Sequence, residues 1–288
     1  MIPGPFAYHR PASVKEAVSL LVSLGEDARA IAGGHSLIPM MKLRLASPAH
    51  LIDLAGVADL KGIHEDGRDV VIGAMTTQHE VIGSELLANK VPILRETSFL
   101  IADPQVRNMG TIGGNLAHGD AANDHPALML ALRATVIATG QGGKRPIPID
   151  EFFLGLFATA LQQDEILTEI QIPVPAKGTG SAYHKLERKV GDYATAGAAV
   201  QLTINDKGIC TDIGIGLTNV SATPMRASRS EQLILNNQVT EENISAAAQL
   251  AAEDCSPSAD LRGSEEYKRA MVAVLVKRMI RKAVERTK

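Results

Sequence analysis

Tryptophan is absent from this chain of 288 residues, and it has only five Phe and four Tyr. That argues against a surface that stacks nucleic-acid bases on aromatic rings. The two cysteines, Cys210 and Cys255, stand far apart and without CxxC spacing. So few thiolates exclude a cysteine-ligated iron–sulfur cluster or a Cys-rich zinc site made by this chain alone, and they fit a reducing cytoplasm. Each cysteine reads as a small buried hydrophobe. No sign of charge dominates: 29 Lys and Arg against 32 Asp and Glu leave a net charge of −3, spread along the chain. There is no electrostatic footprint for nucleic acid or an anionic membrane. No apolar run approaches the roughly 20 residues of a membrane span. The best candidate, "MVAVLVKRMI", is broken by Lys277 and Arg278. The opening "MIPGPFAYHRP" lacks the basic stretch and apolar core of a signal peptide.

Apolar residues make up 45% of the chain, enough for a sizeable core and for one large or two modest domains. "PFAY" reads as a short strand. Ser13 to Leu24 reads as a helix, with Ser13 and Glu16 as a capping box, an apolar stripe of Val14, Ala17, Val18 and Leu21, and Gly25 as its stop. "ARAIAG" is a strand, followed by a glycine turn, a helix starting near Pro39 and the strand "HLIDL". This alternation predicts a mixed α/β unit over the first fifty-odd residues. "DVVIGAMT" is a further strand, Thr77 with Glu80 repeats the capping signal, and "VPILRETSFLI" is helical. From Ala102 to Asn123 the chain is rich in Gly, Asn and Asp and shows no period, which predicts a long irregular segment, functional or disordered. "NDHPALMLALRA" returns to helix; "TVIATG" and "EILTEIQIPVP" are strands. "PVPAKGTGS" is the best linker. Beyond it, "AGAAVQLTI" and "CTDIGIGLTNV" form a hairpin around Asp206-Lys207-Gly208, and helices follow from Ser228 to the end.

Gly33-Gly34-His35-Ser36 lies between a strand and a helix start. Paired glycines allow positive φ and close approach of a ligand, and successive N–H groups there make an anion nest. "GTIGGN", residues 110–115, again pairs glycines, between Thr111 and Asn115, so two loops could grip the two ends of one diphosphate, or a diphosphate and its neighbouring ring. The sequence has no GxxxxGK[ST] of a P-loop and no GxGxxG of a Rossmann site. "GHSLI" fails as a nucleophile elbow because Ile38 stands where the closing glycine belongs. "HGDAANDH" collects His118, Asp120, Asp124 and His125, but without the spacing that puts two ligands on one helical face; turns and a helix cap are the favoured reading, with Asp124 free to accept a hydroxyl as well. His184, Lys185, Arg188 and Lys189 form a basic cluster with Glu187 interposed. It reads either as a solvated strand edge or as a site where Lys185 meets a phosphate or ring and Tyr193 packs on a flat cofactor.

"AGGHSL" at 32–37, "ADPQVRNMGTIGGN" at 102–115, "EILTEIQIP" at 165–173 and "KLERKVGDYATA" at 185–196 resemble, in order and spacing, the FAD-binding medium subunits of molybdenum hydroxylases. The resemblance spans nearly the whole chain. It implies an α+β fold: a two-subdomain FAD-binding domain of the vanillyl-alcohol-oxidase type over 1–177 (subdomains about 1–55 and 56–177), then a C-terminal domain over 178–288 with a small antiparallel sheet and helices. It implies that Ala32, Gly33, Gly34, His35, Ser36 and Leu37 wrap the diphosphate, with Thr111, Gly113, Gly114 and Asn115 opposite. Ile101 and Ala102 would line the adenosine and ring region, and Leu167 would pack on the adenine side. Asp124 would lie near the flavin or its ribityl chain, and Lys185 would reach the polar edge of the ring. Tyr193 would stand beside the isoalloxazine, a choice that resembles the carbon monoxide dehydrogenase branch.

The flavin is expected to be non-covalent, although His35 lies near. No catalytic acid or base and no metal ligand is expected in this chain. By the same resemblance, a large subunit holds the molybdenum cofactor, a small one holds the iron–sulfur clusters, and the complex is a dimer of heterotrimers. Electrons would pass through FAD to a quinone-type acceptor, in the cytoplasm or with the complex peripherally attached to a membrane. Aldehyde or N-heterocycle hydroxylases, a scaffold subunit that has lost FAD, and a free-standing flavin oxidase are the alternatives.

Overall fold

A computed structural model of the chain describes residues 2–287. Three sheets carry the architecture. The first is small and parallel, with His50–Asp53 between Ala7–His9 and Ala28–Ile31. Parallel neighbours need crossovers, and the helix Val14–Leu24 supplies one of them. Its buried face is Ala17, Val18 and Leu21, as the apolar spacing predicts, and Ser13 Oγ accepts the Glu16 N–H at 3.2 Å. The Glu16 carboxylate reaches back one residue further than a capping box requires, to the Ala12 N–H. Gly25, at φ +60°, ends the helix.

The second sheet is antiparallel, in the order Ile63–Asp66, Asp69–Gly73, Ile166–Pro173, Thr135–Gly140, Gly143–Pro148. Its inner face meets three short helices, Gln78–Gly83, Glu85–Lys90 and Pro92–Phe99, in one core with Val70, Ile72, Leu94 and Ile170. Here the capping box at Thr77 and Glu80 is complete in both directions.

The third sheet is antiparallel too: Thr179–Leu186, Ala196–Ile204, Cys210–Thr218, Met225–Arg226. The helices Glu241–Asp254 and Glu265–Glu285 cover one face and share a core with it. Against the other face lies Asp124–Leu132, a helix buried along its whole length. Gly214 and Gly216 make that possible, since a Cβ on them would stand 2.1 and 1.9 Å from the Ala131 and Ala127 carbonyl oxygens. Sheet and helix backbones touch there with no room for a side chain. This helix also packs in the core of the second sheet, so it ties the two halves together and fixes Asp124 where they meet.

The segment 102–123 departs from its expected irregularity. It holds two helices of six residues, Pro104–Met109 and Ile112–Ala117, capped by Asp103 and Thr111. Fewer than two turns show no apolar period, which hides such helices in a sequence. Among the described residues no helix is long and apolar enough to cross a membrane.

Candidate functional site

A cleft of about 830 Å³ is walled by the end of the parallel sheet, the 74–78 turn, the segment 101–124 and the loop after Leu186. It gathers the positions matched to the cofactor site through the family resemblance: Ala32 to Leu37, Ile101, Ala102, Thr111, Gly113, Gly114, Asn115, Asp124, Leu167, Lys185 and Tyr193.

The first glycine turn follows strand Ala28–Ile31 and leads into the helix Leu37–Lys42. Gly34 has φ +74°, and Gly33 lies so close to the neighbouring segment that a Cβ would stand 2.3 Å from the Met109 carbonyl oxygen. Among the described residues, the backbone N–H groups of Gly33, Gly34, His35, Ser36 and Leu37 have no acceptor in the chain. Backbone donors do not stay unpaired, so these five belong to water or to a ligand. A consecutive run of them at a helix start suits anionic oxygens. The His35 ring turns back to the Gly33 carbonyl, 2.8 Å away. Arg29, missed in the sequence, also lines the cleft and has no carboxylate within ion-pair distance among the described residues. Its signal was a lone cation on the strand that feeds the turn.

The second glycine pair works differently from the first, contrary to its expected role as a matching nest. Gly113 and Gly114 sit in the first turn of a helix, not in a bend. Their N–H groups are spent on the Ala74 carbonyl and on Thr111 Oγ1, and those of Ile112 and Asn115 on Thr76 and Thr111 carbonyls. A Cβ at Gly113 would stand 2.5 Å from that of Ala74. What this segment offers the cleft is a bare glycine surface and the side chains of Thr111 and Asn115. Asn115 Oδ1 is buried and has no partner in the chain.

Lys185 is a second correction. It lines the cleft, yet its ammonium is not free to reach out to a ring. At 4% exposure it donates to Asp124 Oδ2 at 3.0 Å and to the Asp192 carbonyl at 2.9 Å, with Glu187 Oε2 at 3.4 Å. Two hydrogen bonds and a second carboxylate in ion-pair range turn the ammonium inward. Asp124 also accepts the Tyr183 hydroxyl. Burial raises the Asp124 carboxyl above its ordinary value, while Lys185 and Tyr183 pull it back. Asn123, the cap residue of this helix, bonds not its own helix but the Asn115 carbonyl, at 3.0 Å.

The other members of "HGDAANDH" scatter. His118 stacks on Phe157, with centroids 5.0 Å apart, and Asp120 caps the Ala122 N–H. His125 is fully buried, bonds Gln78 Oε1 at 2.7 Å, and is held neutral by burial, its pKa pulled down to about 3. Among the described residues no three His, Cys, Asp or Glu side chains group as a metal site. Tyr193 is half-exposed at the cleft wall. Beside it the Asp192 carboxyl is held down to about 2, first by its bond to Arg262. Arg262 reaches Asp192 across 70 residues of sequence, and its sequence context gave no sign of the contact.

Residues 4–175 match the family described as FAD binding domain in molybdopterin dehydrogenase, and 181–283 match the CO dehydrogenase flavoprotein C-terminal domain. The chain belongs to this family of FAD-binding oxidoreductase subunits. It is 53% identical to the carbon monoxide dehydrogenase medium chain of Afipia carboxidovorans, with all of both chains covered. It superposes with a TM-score of 0.96 on carbon monoxide dehydrogenase from Hydrogenophaga pseudoflava, at 51% identity and 98% coverage of each chain. Quinoline 2-oxidoreductase from Pseudomonas putida 86 gives 0.93 at 34% identity, covering 99% of each.

The donor set fits the cofactor of that family. Five unpaired amides suit a diphosphate, the orphaned Asn115 oxygen suits a hydroxyl or N–H, and Ile101, Ile166 and Leu167 give apolar walls for flat rings.

Proposed function

We propose that this chain is the FAD-carrying, electron-transferring medium subunit of a carbon monoxide dehydrogenase. It takes electrons from iron–sulfur clusters in a small partner subunit, while a large partner holds the molybdenum cofactor and oxidises the substrate. The acceptor is quinone-like. The observation that carries this reading is the open run of amides from Gly33 to Leu37 in a cleft where all the family-matched positions meet. Identity of 53% to a carbon monoxide dehydrogenase chain, against 38% to a nicotine 6-hydroxylase medium subunit, favours carbon monoxide over an N-heterocycle as the substrate of the complex.

Bound FAD supplies two-electron redox chemistry with single-electron steps available. The protein's share is position and field. Gly33 to Leu37 hold the diphosphate by backbone N–H groups, and Arg29 adds a positive charge nearby. Gly113 lets its helix pack on Ala74, Gly114 leaves the space beside Ala32 and Thr111 free of a side chain, and Thr111 and Asn115 bond the ligand's hydroxyls. The Asp124–Lys185 pair keeps a neutral, rigid wall, and Tyr193 covers the ring end. The FAD domain ends near residue 177, and the remaining chain contributes Lys185 and Tyr193 to the cleft. The complex is a dimer of heterotrimers in the cytoplasm, and fractionation of cell extracts tests its attachment to the membrane.

The test is the purified assembled complex. One FAD released per chain, with carbon monoxide-dependent reduction of a quinone analogue, is the expected result. A complex without flavin would reject the function; one with flavin that oxidises aldehydes or N-heterocycles but not carbon monoxide would reject the substrate.

A further inference from the structure

Arg262 stands on the loop between the last two helices, far from the cleft in sequence. Its guanidinium carbon lies 5.6 Å from the Tyr193 ring centroid, and it donates to Asp192 Oδ1 at 3.0 Å. The same Asp192 oxygen accepts the Tyr193 backbone N–H at 2.8 Å, and its other oxygen is bonded by Arg188. Both the ring and the backbone of Tyr193 are thus tied to one guanidinium. The Arg262 Nε is buried and has no acceptor in the chain. A buried donor left unpaired is costly, so the contacts of the same guanidinium to Asp192 and the Tyr193 ring must outweigh it.

The loop that presents Arg262 is braced. Asp260 and Gly263 exchange backbone bonds, and the Asp260 carboxylate accepts from the Arg262 and Gly263 N–H groups and from Lys268 Nζ at 2.8 Å. Lys268 itself is 2% exposed. On the other side the Tyr193 loop is pinned to the 102 region, where a Cβ on Gly191 would stand 2.5 Å from the Ala102 carbonyl oxygen. Asn219 Nδ2 bonds the Ala194 carbonyl at 2.7 Å just after the ring.

We propose that Arg262 is a positioning residue for Tyr193: through the ring face and through Asp192, the 260–263 loop fixes the phenol at the cleft wall and so sets how it meets the flavin. This rests on the function proposed above. A cation–π contact at a partly exposed site is worth about 0.5–1 kcal/mol, a two- to fivefold effect.

The test pairs Arg262→Gln and Arg262→Lys with Tyr193→Leu in the assembled complex. Arg262→Gln is expected to change the visible circular dichroism of bound FAD and to shift the acceptor KM two- to fivefold at nearly constant kcat. Arg262→Lys falls between it and the native protein. In the Tyr193→Leu background neither substitution adds anything. In the free chain, hydrogen exchange over 187–195 should rise in Arg262→Gln while that over 196–204 stays unchanged. Unaltered dichroism and exchange would overturn the proposal. So would an equal effect of Arg262→Gln with and without the Tyr193 ring, or faster exchange across both segments. If the native complex carries no FAD, the proposed function falls, and the exchange data decide the clamp alone.

Discussion

Replacing Lys185 by Met gives the most quantitative handle on the cleft. The native ammonium is surrounded by Asp124 Oδ2 at 3.0 Å, the Asp192 carbonyl and Glu187, and its side chain and that of Asp124 are 2% and 7% exposed. Removing one partner of a buried pair strands the other, at a cost of about 3–5 kcal/mol. For a chain of this size each kcal/mol moves Tm by roughly 2–4 °C, so the loss is on the order of 10 °C. Asp124 would keep only the Tyr183 hydroxyl. Its carboxyl, already raised above 3.8 by burial, would rise further once the charge that lowers it is gone. An acid with a raised folded pKa costs stability as pH climbs through the interval between its unfolded and folded values, because the folded state must give up a proton it holds more tightly. The deficit of Lys185→Met relative to the native chain should therefore be smaller at pH 5 than at pH 8. Adding Asp124→Asn removes the stranded charge and should recover more than half of the loss. Differential scanning calorimetry of Lys185→Met, Asp124→Asn and the double variant at both pH values is the assay. A Tm change below about 2 °C for Lys185→Met, or a double variant as unstable as the sum of the singles, would refute the buried-pair argument.

Gly33→Ala puts a Cβ 2.3 Å from the Met109 carbonyl oxygen, so the turn must move away from the 109–110 backbone. Overpacking of this kind costs about 1–3 kcal/mol, and FAD affinity of the complex, read by flavin titration, should fall on the order of tenfold or more. His125 has a folded pKa near 3 against 6.5 when free, so the unfolded state binds the extra proton between those values. Its stabilising contribution is full above pH 6.5 and is lost as pH falls, by about 2 kcal/mol at pH 5. His125→Gln should flatten the fall in Tm between pH 7 and pH 5, seen by scanning fluorimetry.

The parts of the molecule that sequence could reveal are those decided by near neighbours. Ser13 with Glu16 and Thr77 with Glu80 cap helices three residues away, and the Asp206–Gly208 hairpin closes on itself with Gly208 at φ +76°. The first diglycine turn was legible for the same reason, since positive φ and a helix start are local matters. The second was misread as a bend because a glycine serves equally to let a short helix pack on Ala74, where a Cβ on Gly113 would stand 2.5 Å from that of Ala74. Pairings across the chain were out of reach. Lys185 meets Asp124 over 61 residues and Arg262 meets Asp192 over 70, and only the fold brings them together. The sequence could mark Lys185 as belonging to the cleft, but not that its charge was already paired with Asp124 and Glu187.

The central claim is that the amides of Gly33 to Leu37 hold the diphosphate of FAD. A crystal structure of the assembled, flavin-loaded complex tests it most directly. Diphosphate oxygens within about 2.7–3.2 Å of at least two of those nitrogens are the predicted result. A diphosphate seated elsewhere in the cleft, with water on those five amides, would contradict it.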